Sequence, residues 1–510
     1  MPASDNANLF AALRAAFPSD LAACAVETDS GLQYTWGDLE HATAMVANLL
    51  ESLDLPEGAR IAVQVEKSVE ALVLYLATLR AGLVYLPLNT AYQSAEMAYF
   101  IEDAQPAVVV CSGRNFGWVS KMAFLAGTAY VFTLNDDRTG SLLERAAQFP
   151  RTHTIAQRQS DDLAAIIYTS GTTGRSKGAM LSHGNLLSNA RVLQTYWDWK
   201  PGDVLIHALP IFHVHGLFVA IHGALINGSK MVWCAKFDPK VVLQHFPRAT
   251  VFMGVPTLYV RLLAEPGLNA QAVQNMRLFV SGSAPMLVDT HHQWQQRTGH
   301  TILERYGMSE TVMLTSNPGR ASDGERVVGT VGQPLPGVLL RVRDEAGKDL
   351  PVGETGGIEV RGPNVFQGYW QMPEKTAQEF TVDGFFKTGD VGHVDAQGYV
   401  TIVGRSKDLI ISGGYNVYPA EIEGYINNLP GVAESAVVAV PDADFGEVGV
   451  AVIVPLAGAR VDPVQVIATL KATLANFKVP KRCEVVAELP RNAMGKVQKN
   501  LLRAQYQTGT

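Results

Sequence analysis

Residues 168–178 read Tyr168-Thr-Ser-Gly-Thr-Thr-Gly-Arg-Ser-Lys-Gly178, at the end of the apolar run Leu-Ala-Ala-Ile-Ile-Tyr over 163–168. The apolar run reads as a buried strand, and the residues after it turn away from one. Gly171 and Gly174 free the backbone to aim its N–H groups at a ligand. Thr169 leads into the turn, Ser170, Thr172 and Thr173 add hydroxyl donors, and Lys177 adds a charge. Together these suit a polyphosphate. The spacing Gly-x-x-x-x-Gly-Lys-Ser/Thr is absent, so this is not the Walker loop.

Outward from the loop, helical and strand patterns alternate. Upstream, a helix is expected over 68–81: Ser68 can cap it, Leu72, Leu76 and Leu79 share a face, and Gly82 ends it. Strand-like runs follow at 84–88 and 107–111. The alternation continues to about residue 340, which favours a largely parallel, helix-covered sheet. From 338 to 403 shorter strands broken by glycine predict a β-rich subdomain. Beyond that, Pro419 opens a helix with Ile422, Tyr425, Ile426 and Leu429 on one side. Two β-branched runs, 434–440 and 448–454, flank a loop. A second helix starts at Asp462 and Pro463 and carries Val466, Ile467, Leu470, Leu474 and Phe477. The class expected is α/β, with a large N-terminal domain over 1–404 and a small α+β domain over 405–510.

A chain of 510 residues exceeds one compact core, so more than one domain is expected. The net charge of −7, with Lys and Arg dispersed, argues against nucleic acid as the main partner. Cys24, Cys111, Cys234 and Cys483 are far apart, with no CxxC pair and no His at zinc spacing. Reduced thiols are expected. The opening MPASDNANLFAALRAAF lacks a basic start followed by a long apolar run. The longest strongly apolar stretch, 71–79, is shorter than the roughly 20 residues a bilayer span needs. The expectation is a cytoplasmic protein with no membrane span.

Four further motifs follow the loop in order: Tyr306-Gly-Met-Ser-Glu-Thr311, Phe386-Lys-Thr-Gly-Asp390, Gly404-Arg-Ser-Lys-Asp408 and Pro490-Arg-Asn-Ala-Met-Gly-Lys496. The set resembles the adenylate-forming superfamily of acyl-CoA synthetases, peptide-synthetase adenylation domains and firefly-type luciferases, across essentially the whole chain. The resemblance implies that a carboxylic acid attacks the α-phosphorus of ATP, and that coenzyme A then takes the acyl group. Catalysis of that kind needs charge neutralisation and in-line positioning.

The resemblance also implies roles. Glu310, with Thr172, holds Mg²⁺. Ser309 contacts the α-phosphate, Tyr306 flanks adenine, Asp390 accepts from the ribose hydroxyls, and Arg405 contacts the nucleotide. Lys496 bridges the carboxylate and the α-phosphate. The C-terminal domain is mobile, with Lys407 at its hinge. A second pose brings Ser412-Gly-Gly-Tyr-Asn416 to the thiol channel, so Ser412, Gly413, Gly414 and Tyr415 line it. Acetylation would remove the Lys496 charge, which makes an acetyltransferase a candidate partner.

For the acid, His213-Val-His215-Gly, Val255-Pro-Thr-Leu-Tyr-Val-Arg261, Ser281-Gly-Ser-Ala-Pro285 and Arg305-Tyr-Gly-Met-Ser-Glu-Thr311 closely resemble malonyl-CoA synthetases. By that resemblance Arg261 and Ser281 or Ser283 hold a distal carboxylate, with His213 or His215 nearby. Val214 and Met313 line the pocket and decide whether a methyl branch, as in methylmalonate, fits. A guanidinium grips a carboxylate with two parallel hydrogen bonds. The alternative within enzymes is a CoA ligase for another short or aryl acid. A non-catalytic adenylate sensor would not need Lys177, Glu310, Asp390 and Lys496 together.

Overall fold

The computed structural model describes residues 6–169, 176–412, 415–442, 444–492 and 495–507. Ser170, Gly171, Thr172, Thr173, Gly174, Gly413 and Gly414 lie outside the described residues. The upstream helix forms over Val69–Arg80, with the Ser68 hydroxyl accepting from the Ala71 amide at 3.1 Å. Gly82, at φ +71°, turns the chain out of it. Every residue of this helix is buried, not one face alone. A helix apolar all round belongs in the interior of a large domain.

The helix-covered part of the chain is built on two sheets, as the expected class allows. In the first, the strands run Tyr130–Thr133, Val108–Cys111, Arg60–Gln64, Val84–Pro87, Leu163–Thr169 and Lys177–Ser182 among the described residues. They are parallel except for the last pair, which is antiparallel. The antiparallel strand Lys177–Ser182 forms this edge of the first sheet. The second sheet has a parallel centre: Leu303–Tyr306, Leu278–Ser281, Val251–Gly254, Val204–His207, Lys230–Trp233 and Cys24–Thr28. Parallel strands need cover on both faces, and the intervening helices supply it.

The β-rich segment is an antiparallel sheet of Leu339–Arg343, Gly356–Arg361, Phe386–Val394 and Val400–Arg405. Further on, Val432–Asp442 pairs antiparallel with Gly446–Pro455. The helices Pro419–Asn427 and Pro463–Thr473 each begin on a proline, where no N–H is missed. Ile422 and Ile426 are fully buried, while Tyr425 faces water. The second helix stops at Thr473. Leu474 is extended, and Phe477 sits in a separate turn where its ring stacks on Tyr415 at 4.6 Å. Ile410, Ile422, Ile426, Val437, Ile453 and Leu470 share one apolar cluster whose buried members all lie at or beyond residue 410. The four cysteines are free thiols, with Cys111 and Cys234 buried. No helix among the described residues is long and apolar enough to cross a membrane.

Candidate active site

The hairpin pairs Thr169 with Lys177 across the phosphate loop. The Lys177 ammonium lies 4.1 Å from the centroid of the Tyr369 ring and 3.8 Å from Glu379. Glu310 lies four residues beyond the strand Leu303–Tyr306 and is buried. The Tyr369 hydroxyl donates to its Oε1 at 2.9 Å, and the Phe366 amide donates to its backbone carbonyl at 2.8 Å. Burial pushes the Glu310 carboxyl up, and the Tyr369 hydrogen bond opposes this. No group of three or more His, Cys, Asp or Glu side chains among the described residues could hold a metal ion. A cation at Glu310 would therefore not rest on a cluster of carboxylates, and substrate oxygens and water are open to it as ligands. Mg²⁺ takes one or two carboxylates with phosphate oxygens and water, so the donor set fits it.

Strand register sets the next group. Asp390 pairs with Arg405 in the hairpin of Phe386–Val394 and Val400–Arg405, and the Arg405 Nε lies 2.8 Å from Asp390 Oδ1. The Tyr306 hydroxyl donates to the other oxygen, Oδ2. Both oxygens of this buried carboxylate are thus aimed and partnered. Lys496 arrives from the far end of the chain on a turn where Gly495 has φ +74° and the Lys496 amide donates to Asn492 Oδ1 at 3.0 Å. Its charge interacts with Arg405, Asp390, Asp408, Glu310 and His213. The residue stays accessible to water, as a group meeting an incoming substrate must. Crowding around its ammonium and the Arg405 charge nevertheless lower its pKa.

His213-Val-His215 leads into a π-helical turn, His215–Ile221. Burial and the Arg305 charge push His213 down to about 4 and His215 well below its usual value. Both rings are therefore neutral at pH 7. Ser283, in the left-handed region at φ +70°, places its hydroxyl 3.4 Å from His215 Nδ1. The Ser281 hydroxyl is buried and has no partner among the described residues, and Val214 and Met313 are buried.

Sequence reasoning passed over Arg305. Arg305 is 3% exposed, and its Nε and Nη2 lack hydrogen-bond partners among the described residues. It packs so closely on Gly282 that a Cβ there would lie 2.4 Å from Arg305 Cζ. Burial pushes it down to about 9, so it remains a cation at pH 7. The signal was present: charged residues at 304 and 305 interrupt a strand that otherwise belongs in the core. Arg261, by contrast, is exposed on the helix Pro256–Leu263 and lies over the Phe237 ring at 4.8 Å. No described hydrogen bond or ion pair joins it to Ser281.

Glu304 is also buried, with Oε1 unpartnered among the described residues. Burial pushes it from 4.5 up to about 7, against hydrogen bonds from the Gly329 and Met286 backbones. The folded chain thus holds this proton more tightly than the unfolded chain. Its contribution to stability is full below about pH 4.5 and is lost as pH rises through about 7. Glu304→Gln, which cannot ionise, is expected to gain about 2–3 kcal/mol relative to the parent between pH 4.5 and 8. Chemical denaturation at both pH values measures this, and a pH-independent difference contradicts it.

A cavity of about 370 Å³ adjoins these groups, with Lys67, Phe212, Phe237, Thr257 and Gly495 in its walls. Ser412 is buried, and Tyr415 is 58% exposed against Phe477, away from this cavity's lining. Lys407 lies in a single turn, Ser406–Asp408, where the Ser406 hydroxyl donates to the Gly389 carbonyl at 3.1 Å. Ser309 is half-buried beside Glu310. The fold therefore brings Lys177, Tyr306, Glu310, Asp390, Arg405, His213 and Lys496 together; Arg261 lies over Phe237 in the cavity wall, and Tyr415 lies against Phe477.

Comparison with known proteins fits this arrangement. Residues 11–370 match the family described as AMP-binding enzyme, and residues 421–496 match the AMP-binding enzyme C-terminal domain. A malonate–CoA ligase of Arabidopsis thaliana is 34% identical over 552 residues, covering 98% of this chain and 89% of the relative. A feruloyl-CoA synthase of Amycolatopsis sp is 34% identical over 478 residues, covering 93% and 94%. The ATP-bound crystal structure of MatB from Rhodopseudomonas palustris is 55% identical, covers 99% of both chains and superimposes with a TM-score of 0.96. The apo form of that protein, with the same identity and coverage, gives 0.85. The chain is thus closer in shape to the ATP-bound form.

Proposed function

This chain belongs to the AMP-binding enzyme family, and from that premise we propose that it is an AMP-forming malonate–CoA ligase. ATP and coenzyme A are its co-substrates. The observation that carries malonate is Arg305. A buried guanidinium without a counter-ion is costly, and a substrate bearing a second carboxylate supplies one. Ser281, with its free hydroxyl, and the neutral His213 and His215 complete an anion pocket without adding charge. Arg305 takes the part that sequence reasoning gave to Arg261.

In the first half-reaction the other malonate carboxylate attacks the α-phosphorus, and the bond to pyrophosphate breaks. Asp390 holds the ribose, exchanging its Tyr306 and Arg405 contacts for shared ones. Lys177 and Lys496 face the charge that develops on the phosphate oxygens, where a preoriented cation gains most. Glu310 and Thr172 would hold Mg²⁺, which would supply neutralisation of the phosphate charge. In the second half-reaction the CoA sulfur attacks the acyl carbon, AMP leaves with the bonding pair, and the thiol proton is released. The apolar cavity ending at Gly495 suits the pantetheine arm. Val214 and Met313 limit the room for a methyl branch.

The feruloyl-CoA synthase likeness supports an aryl acid as the second reading. An uncompensated buried cation weighs against it, since an aryl ring would leave Arg305 unpaired. A panel of acids, scored for acyl-CoA by mass spectrometry, decides between them. Malonate is expected to exceed acetate and ferulate by at least about 30-fold in kcat/KM. Equal use of the three acids sinks the reading.

A further inference from the structure

The segment Phe366-Gln-Gly-Tyr-Trp370 carries no substrate-binding role in the reaction above, yet it is hydrogen-bonded to both Glu310 and the strand that bears Lys177. The Phe366 amide donates to the Glu310 carbonyl at 2.8 Å. Gln367 donates to the Met180 carbonyl at 3.0 Å, Met180 to Gly368 at 3.0 Å, and Trp370 to Gly178 at 2.7 Å. The Tyr369 amide donates to Thr376 Oγ1 at 2.9 Å. Gly368, at φ +134°, allows this path, and a Cβ there would meet Thr376 at 2.6 Å. The segment thus forms an antiparallel bridge, Tyr369 to Ala179, beside Lys177–Ser182, and its one tyrosine is 4% exposed.

That tyrosine makes two contacts. Its hydroxyl donates to Glu310 Oε1 at 2.9 Å. The Lys177 ammonium lies 4.1 Å from the centroid of its ring, within cation–π range. We propose that Tyr369 is a positioning residue for the nucleotide: its hydroxyl fixes one oxygen of Glu310 and leaves Oε2 for the cation, while its ring seats Lys177. The inference rests on the reading of Glu310 as the residue that holds Mg²⁺. Charge-assisted hydrogen bonds of this kind set the aim of a carboxylate as well as its affinity.

Tyr369→Phe keeps the ring and removes the hydroxyl. The test is calorimetric binding of ATP across a Mg²⁺ series, with neither acid nor CoA present, so that no turnover occurs. The Mg²⁺ concentration that half-saturates ATP binding is expected to rise about tenfold in Tyr369→Phe. The ATP affinity at saturating Mg²⁺ should change little. Tyr369→Leu, which also removes the ring, is expected to weaken ATP binding a further roughly threefold. In a Glu310→Gln background Tyr369→Phe should add nothing, since both act on one carboxylate. An unchanged Mg²⁺ midpoint in Tyr369→Phe overturns the proposal, as does an undiminished effect in the Glu310→Gln background. So does a Tyr369→Phe chain that cannot fold, because that would make the hydroxyl a structural group. If Glu310→Gln alone leaves the midpoint where the parent has it, the metal reading of Glu310 fails instead.

Discussion

Lys496→Ala is expected to lower malonate-dependent exchange of pyrophosphate into ATP by about 100- to 1000-fold. The ammonium enters a cleft already holding Asp390, Glu310 and Arg405, and its charge matters most as negative charge builds on the phosphate. Thioester formation from supplied malonyl-adenylate and CoA should change less than about threefold, because no negative charge of that kind then develops beside Lys496. Loss of both half-reactions to the same degree would mean that the lysine supports the fold or the binding of both substrates. The pH profile gives an independent reading. Because its pKa is lowered from 10.5, the ammonium is lost at a lower pH than an ordinary lysine's. The exchange rate of the parent should therefore fall with rising pH before 10.5, and Lys496→Arg should move that decline upward.

Arg305→Met is expected to cut kcat/KM for malonate by roughly 30-fold to several thousand-fold. Acetate, which has no second carboxylate, should change only a few-fold, so the preference between the two acids disappears. The same substitution should not lower stability. It replaces an uncompensated buried cation with an apolar side chain of similar length, a change that is commonly neutral or stabilising. A purely structural arginine would give the opposite pair of results: a falling Tm with the malonate preference retained. Arg261→Ala is the companion measurement. Exposed over Phe237, Arg261 is expected to leave the malonate-to-acetate ratio within about threefold of the parent. If Arg261→Ala erases the ratio and Arg305→Met does not, the roles assigned here are reversed.

The apolar run at 163–168 and the glycines after it were legible because strand and turn are local properties. The same holds for the Ser68 cap and for Pro419 and Pro463 at helix starts, where one residue's backbone chemistry decides the outcome. Periodicity was less informative for the helix Val69–Arg80, which is buried on every side, and it carried the helix that begins at Pro463 too far, past Thr473 to Phe477. Nothing local distinguishes a phenylalanine that continues a helix from one that leaves it to cover Tyr415.

The sequence by itself determined the family and the kind of reaction, because each motif pairs a backbone geometry with a reactive group in a few adjacent positions. The tertiary structure alone decided which arginine is buried without an ion-pair partner among the described residues. It also set Tyr369 between Lys177 and Glu310, and brought Lys496 rather than Tyr415 into the cleft. Burial and missing counter-charges arise from packing between segments hundreds of residues apart, and no stretch of sequence read alone contains them.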